Sequence, residues 1–355
     1  MTSRVRLIAC ALLLWSLAGV GMAQDIYESS PGTYATEVLK LSRQLDGRNE
    51  LLIRSATHLS GKITIATADG DAALVSYTKR AKTDSRSRAF DFIDLMSVSL
   101  DLLPGKARLD LRAPNPAPWD KARESGIIDV VITVPRECSV VIEATYYDVE
   151  AVGPFGSMTI GSSLGRMDIS HVRSGLVLVT ANQRVTLVDI SGTVSVSTTN
   201  AELSCNDLRT GKESAVFRND GGDIKITDIE GSVNVSADFG RIDIDGFRVS
   251  GESSFIRGTS APVTIGLVEM KEGQLVVSNR YEDIEISVPS DISAYFSLAV
   301  EDGNSIEATN FKFQTDLVKS NRLTFHAGEG DVSISGSVRG KGNIYLRGVD
   351  RRDDH

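Results

Sequence analysis

The chain has 355 residues, a net charge of −9, 41% hydrophobic and 6% aromatic residues. An acidic chain without a basic stripe is a poor match to nucleic acid. So few aromatics leave little for a broad stacking platform for glycans.

Residues 1–23 carry Arg4 and Arg6, an apolar run over 7–20 and the small residues Gly21 and Ala23. This pattern predicts a secretory signal peptide cut between Ala23 and Gln24. Leu7-Ile8-Ala9-Cys10 resembles a lipoprotein box but precedes most of the apolar run instead of ending it. No second apolar stretch of about 18 residues follows, so the sequence predicts an exported chain, periplasmic, extracellular or at the cell surface, without a transmembrane segment after cleavage. Residues 24–48 read as a leader, polar and loose over 25–32, followed by a first strand or linker.

Residues 49–134 read as a β-rich N-terminal cap. Alternating stretches at 49–55, 62–66 and 73–78 predict strands. In 86–96, Ala89, Phe90, Ile93 and Met96 share one helical face. Pro104-Gly105 turns 98–112 into a hairpin, and the three prolines of 113–118 predict a surface loop. Apolar strands at 127–134 and 139–144 lead into a repeat.

Over 135–290 the repeat has two alternating series. One contains GRMDI from Gly165, RVTLV from Arg184, GDIKI from Gly222 and GRIDI from Gly240; the other contains GSMTI from Gly156, GLVLV from Gly175, GTVSV from Gly192 and GSVNV from Gly231. Aliphatics at every second position belong on one face of a strand. A period of about 17 to 22 residues predicts an all-β fold, a β-solenoid of short two-strand coils stacked on a shared core. One corner has Asp before an apolar residue, as at Asp189-Ile190; the other has Asn182, Asn200, Asn219 or Asn279, residues that tolerate left-handed backbone angles. Residues 291–349 read as strands closing the solenoid and 350–355 as a charged tail. Cys138 and Cys205 fall more than two coils apart, too far for a disulfide, which predicts two free, buried thiols.

The run Ile128-Asp129-Val130-Val131-Ile132-Thr133-Val134-Pro135, residues 140–144 and the following G-x-[IV]-x-[IV] ladder resemble the bacterial putative-adhesin family of secreted β-solenoid proteins. Gly330-Asp331-Val332-Ser333-Ile334 and Gly342-Asn343-Ile344-Tyr345-Leu346 are similar to its closing strands. The resemblance implies a fold and carries over no catalytic residues. It departs from the pattern at 208–217 and 247–260, where the coils lengthen.

Candidate sites are few. Asn219-Asp220-Gly221-Gly222-Asp223 has the residues of a calcium-binding turn, but calcium rolls repeat that motif and here it occurs once. Asp168, Thr186, Ser204, Lys225, Asp243, Thr264 and Glu285 form the outward row of the first series, mixed in sign like a solvated face. His58, His171, His326 and His355 share no metal spacing, and no cofactor is predicted. Tyr146-Tyr147 and Trp119 are possible aromatic anchors. In the second series the outward row Thr159, Leu178, Ser195, Asn234, Ser254 and Val276 is uncharged, and it is the strongest candidate for docking. The sequence predicts a non-enzymatic, adhesin-like or scaffold protein that binds an envelope protein or polysaccharide along this face, with self-association if the end coils are uncovered. The alternative is a carbohydrate-active enzyme on a β-helix, which needs paired carboxylates across a groove.

Overall fold

The computed structural model describes residues 25–120, 123–211, 213–251, 253–311, 313–329 and 332–350. The signal-peptide segment with Cys10, the Gly330-Asp331 pair and the tail beyond Asp350 lie outside the described residues. Among the described residues the chain is all-β apart from one helix, Arg86–Leu95, and its strands join into one continuous sheet.

The period-two pattern decides which side of each strand faces inward. In Ile242–Val249, Ile242, Ile244, Phe247 and Val249 are buried and Asp243, Asp245 and Arg248 point outward. The phase shifts by one between Ile244 and Phe247 because the chain turns at Gly246, whose φ is +68°. Met167 pairs in parallel with Val185, Val185 with Leu203, Leu203 with Ile224 and Ile224 with Ile242, in steps of 18, 18, 21 and 18 residues. A second parallel ladder links Thr159 to Val177, Val177 to Ser195, Ser195 to Val216 and Val216 to Asn234. The strands Tyr146–Ser163, Met167–Ala181 and Val185–Thr199 run through both ladders and so unite them.

The two corners solve the turn differently. At one, His171, Asp189, Asp207 and Asp228 take φ of +54 to +59°, and Val172, Ile190, Leu208 and Ile229 stack inward beside them. At the other, Asn182 and Asn200 are left-handed, as predicted, but Asn219 and Asn279 are not. Both are buried and donate through Nδ2, to Ala201 O at 2.7 Å and Ala261 O at 2.9 Å. The left-handed position passes to Gly221 and Tyr281.

The ladders extend beyond 135–290. Leu51 pairs in parallel with Ala107 and Val140, and Ile63 with Val149, so part of the segment read as a cap lies within them. Antiparallel strands follow at this end: Ala72–Lys82 pairs with Ser125–Pro135 and with Leu39–Gln44. The segment read as a loose leader is instead half of a hairpin, Ile26–Ser30 against Thr33–Thr36, because Ile26 is buried and its carbonyl accepts from Arg86 Nη2 at 2.9 Å. In the helix, Phe92 rather than Phe90 faces the core with Ala89 and Ile93. Ser85 caps its first turn. Buried Lys79 donates Nζ to the carbonyls of Ile93 and Met96, both at 3.1 Å, satisfying the helix C-terminus; burial pushes its pKa down.

At the other end the chain order departs from the stacking order. Val332–Arg339 pairs in parallel with Gln274–Arg280 on one side and with Ala294–Val300 on the other. Ile344–Val349 likewise lies between Ile284–Pro289 and Ile306–Thr309. The last two strands in sequence thus lie inside the stack, each covered by a further parallel strand that precedes it in the chain. Beyond them Arg322–Ala327 and Phe313–Lys319 add antiparallel strands, and Phe296 stacks on Phe325 with ring centroids 4.6 Å apart.

Cys138 and Cys205 are free and buried. Burial pushes their thiols up to about 11 and about 12.

Candidate functional site

The first-series row is in register throughout: Asp168, Thr186, Ser204, Lys225, Asp243, Thr264 and Glu285 each pair with the next. Its carboxylates stand in a single line, separated by hydroxyls and Lys225, rather than opposed across a groove. Acid–base chemistry needs two groups converging on one bond, and a line does not supply that.

The second row needs two corrections. Thr159, Ser195, Asn234 and Val276 face outward, but Leu178 and Ser254 are fully buried. Their outward neighbours are Val177 and Phe255, and the row runs Thr159, Val177, Ser195, Val216, Asn234, Phe255, Val276, Ser335 across eight adjacent strands. The errors have a physical origin. Counting from glycine placed both residues, yet Gly175 pairs with Thr193, not with Gly192, and Leu176-Val177-Leu178-Val179 has no polar residue to show its phase. Ser254 faces inward because its hydroxyl accepts the Val233 N–H at 3.1 Å, which leaves Phe255 46% exposed.

Farther along the same strands the character of the face changes. Arg257, Thr259, Ser278, Arg280, Ser337 and Arg339 line a concavity of about 310 Å³. Thr259, Arg280 and Arg339 pair directly in one row, and Arg257, Ser278 and Ser337 in the row beside it. All three arginines are exposed. Gly258 and Asn279 form the floor: a Cβ at 258 would stand 2.6 Å from Ala261 O, the carbonyl that Asn279 binds. Sequence reading missed this cluster. Arg280 and Arg339 meet only because the final strands are inserted out of order, which no local pattern announces.

The remaining candidates are used structurally. Trp119 is buried, donates Nε1 to His58 O at 2.8 Å and packs edge-on to Phe92, so it is a plug rather than an anchor. Of the tyrosine pair, Tyr147 is buried and Tyr146 exposed. In the turn at 219–223, Asn219 binds Ala201 O and Asp223 Oδ1 accepts the Arg241 N–H at 2.8 Å; both side chains brace the corner. His171 Nδ1 lies 2.6 Å from Asp189 Oδ2, and Arg173 Nη1 is 2.9 Å from Oδ1. The hydrogen bond from His171, then Arg173, holds the Asp189 carboxyl below its usual range. The adjacent Ser191 hydroxyl has a single proton to donate and two carbonyls in reach, Arg173 O at 3.0 Å and Val172 O at 3.3 Å, so it is engaged with the backbone. His58 pairs with Asp120 at 3.0 Å, and His326 packs against Tyr295. His355 lies outside the described residues.

No family model matches the chain, and no curated protein matches it. Among solved structures it is similar to one described as a "putative cell adhesion protein" from Clostridium sporogenes ATCC 15579, at 8% identity and TM-score 0.20, covering 88% of this chain and 99% of that one. It is also similar to a "putative adhesin" from Parabacteroides merdae ATCC 43184, at 9% identity and TM-score 0.26 over 87% and 95% of the two chains. A third, a "putative adhesin" from Bacteroides fragilis NCTC 9343, has 10% identity and TM-score 0.23 over 87% and 97%.

Proposed function

We propose that this chain is an exported, non-enzymatic β-solenoid protein, adhesin-like or scaffold-like, that engages another macromolecule of the cell envelope along the second-ladder face. The coil reading is supported by strands that each pair with the one 18 or 21 residues on, in two ladders at once. The binding reading is carried by one observation: the outward row from Thr159 to Ser335 is uncharged across eight neighbouring strands. It includes the exposed apolar residues Val177 and Phe255. A long, regular strand face with few charges is suited to an extended partner. The opposite face, lined with Asp168, Lys225, Asp243 and Glu285, is dressed for water.

The test is crosslinking in the native envelope with identification of the captured species, comparing the natural chain with T159D/S195D/N234D. Loss of the captured partner from the charged variant, at unchanged melting temperature, is the expected result. A partner retained in full by that variant would remove this face from consideration.

A further inference from the structure

The arginine concavity lies at one end of the proposed binding face, so a ligand assigned to it rests on that reading and adds the ligand's chemistry. Arg280 and Arg339 are direct neighbours on adjacent strands, about 4.8 Å apart at the backbone. Arg257 stands diagonally, one strand farther on. Guanidinium groups stay charged at any accessible pH, and like charges facing each other across a ladder are destabilising. None of the three has an ion pair among the described residues, although the chain holds 47 acidic residues against 38 basic ones. By register acids stand at Glu301, one step past the Val300–Val338 pair, and at Asp238, one step past the Ala237–Gly258 pair, and Glu282 follows Arg280 by two residues. Among the described residues none of these is ion-paired with an arginine.

A second observation adjoins the cluster. Tyr281 follows Arg280 at the corner with φ +79°, a costly conformation for a bulky residue. Equivalent corners use Asn182, Asn200, Gly221 and Ser260. The Tyr281 ring is half exposed, lies over Gly340, where a Cβ would come 2.6 Å from its Cδ1, and has the Arg280 guanidinium 5.9 Å from its centroid. The fold thus places an aromatic face beside three arginines that have no ion pair among the described residues, and beside the hydroxyls of Thr259, Ser278 and Ser337.

We infer that this end of the face binds an acidic polysaccharide, with the arginines taking its carboxylate or sulfate groups and Tyr281 and the hydroxyls taking the sugar. Guanidinium matches both anions in planar, two-point geometry, and a ring with one polar edge suits a ligand apolar on one side and hydroxylated on the other. A nucleic acid fits less well. Single-strand binding stacks successive bases on several rings and tracks the backbone along a basic groove, whereas the ring beside these arginines is that of Tyr281 and the sequence carries no basic stripe.

The test is retardation of the purified chain in native gels containing dextran sulfate, polygalacturonate or unmodified dextran. The expected result is retardation by one or both acidic polymers and not by dextran, with sulfate and carboxylate told apart by which polymer acts. Binding should weaken as NaCl is raised. R257S/R280S/R339S should lose about tenfold to a hundredfold in affinity, and R241S/R248S, at two arginines outside the concavity, should bind as the natural chain does. Where the triple variant melts lower, the singles R280S and R339S and the charge-keeping R280K/R339K decide: the singles weaken binding and the lysine pair restores part of it. Equal retardation by dextran, retention of binding by the serine variants, or association with anionic phospholipid vesicles but with neither acidic polymer would overturn the inference. An envelope partner lost on T159D/S195D/N234D but no acidic polymer bound would sink this inference and leave the docking face standing.

Discussion

The surface charges of the two ends of the molecule are organised in opposite ways. Among the described residues, every arginine in an ion pair precedes residue 210: Arg80 with Asp129 at 2.6 Å, Arg184 with Glu202 at 2.7 Å and Arg209 with Asp207 at 2.9 Å are examples. Beyond that point Arg218, Arg257, Arg280 and Arg339 have no acidic partner among the described residues. Parallel ladders run through both regions, so parallel pairing by itself does not cause the difference. Stacking sets which residues meet: Arg184 finds Glu202 18 residues on, whereas the rungs beside Arg280 present Thr259 and Arg339. Exposed pairs contribute only about 0–1 kcal/mol each, so neither arrangement governs stability. Among the described residues the first region pairs many of its arginines with its own acids, and the second leaves Arg257, Arg280 and Arg339 without an ion pair, which is what the proposed ligand would use.

The largest expected effect tests whether the second arrangement depends on the inserted strands. Phe296 is fully buried, stacks on Phe325 and lies 5.6 Å from Phe311 between centroids, so it clamps Arg322–Ala327 onto Ala294–Val300, the strand that covers Val332–Arg339. Phe296→Ala should cost about 3–5 kcal/mol in urea unfolding and speed amide exchange in 332–349 more than in 167–199. Equal exchange in both segments would mean that the C-terminal strands hold their place without the aromatic clamp. Next in size, Asn279→Ala removes the buried Nδ2–Ala261 O bond under the arginines and Asn219→Ala removes its counterpart. Each should cost about 1–3 kcal/mol. Similar values would show that the corner is a repeated structural part; a loss at Asn279 alone would tie it to the concavity.

The legibility of the sequence divides along the same line. In the first series every outward position carries Asp, Lys, Glu, Ser or Thr beside Ile, Val or Leu, so the phase of each strand is written in its polarity, and the structure aligns all seven positions. In the second series Leu176 to Val179 is apolar on both faces, and at Ser254-Phe255 the small polar residue goes inside because its hydroxyl replaces a backbone acceptor. Period-two reasoning has nothing to grip there. Phe90 and Phe92 differ for a related reason: a ten-residue helix with aromatics two apart permits either on the core side until its neighbours are known. The arginine concavity was out of reach altogether, because it depends on a strand that returns 59 residues later to lie beside Gln274–Arg280. Local pattern identifies rungs; it does not order them when the chain doubles back.

Acid should act on one region and spare the other. The Asp189 carboxyl is held below its usual range by the His171 hydrogen bond and by Arg173. A carboxyl whose folded pKa is lowered contributes stability above its unfolded pKa and loses it as pH falls through the lowered folded value. The stability difference between the natural chain and Asp189→Asn should therefore be constant near neutrality and shrink once pH drops below the ordinary carboxylate range, when measured by urea unfolding at stepped pH. A difference independent of pH down to complete protonation would mean that the His171–Asp189–Arg173 brace acts by shape rather than charge.

The smallest effect is the most discriminating for the contrast between the two ends. Arg184→Ser breaks an exposed pair and should cost up to about 0.5 kcal/mol. Arg339→Ser breaks no pair and relieves the facing charge of Arg280, so it should leave stability unchanged or raise it by a few tenths of a kcal/mol, at about the limit of a careful urea titration. Added salt should shrink both effects, because it screens attraction and repulsion alike. If Arg339→Ser instead destabilises as much as Arg184→Ser does, the arginine is bound within the chain after all, and its charge is not held in reserve for a ligand.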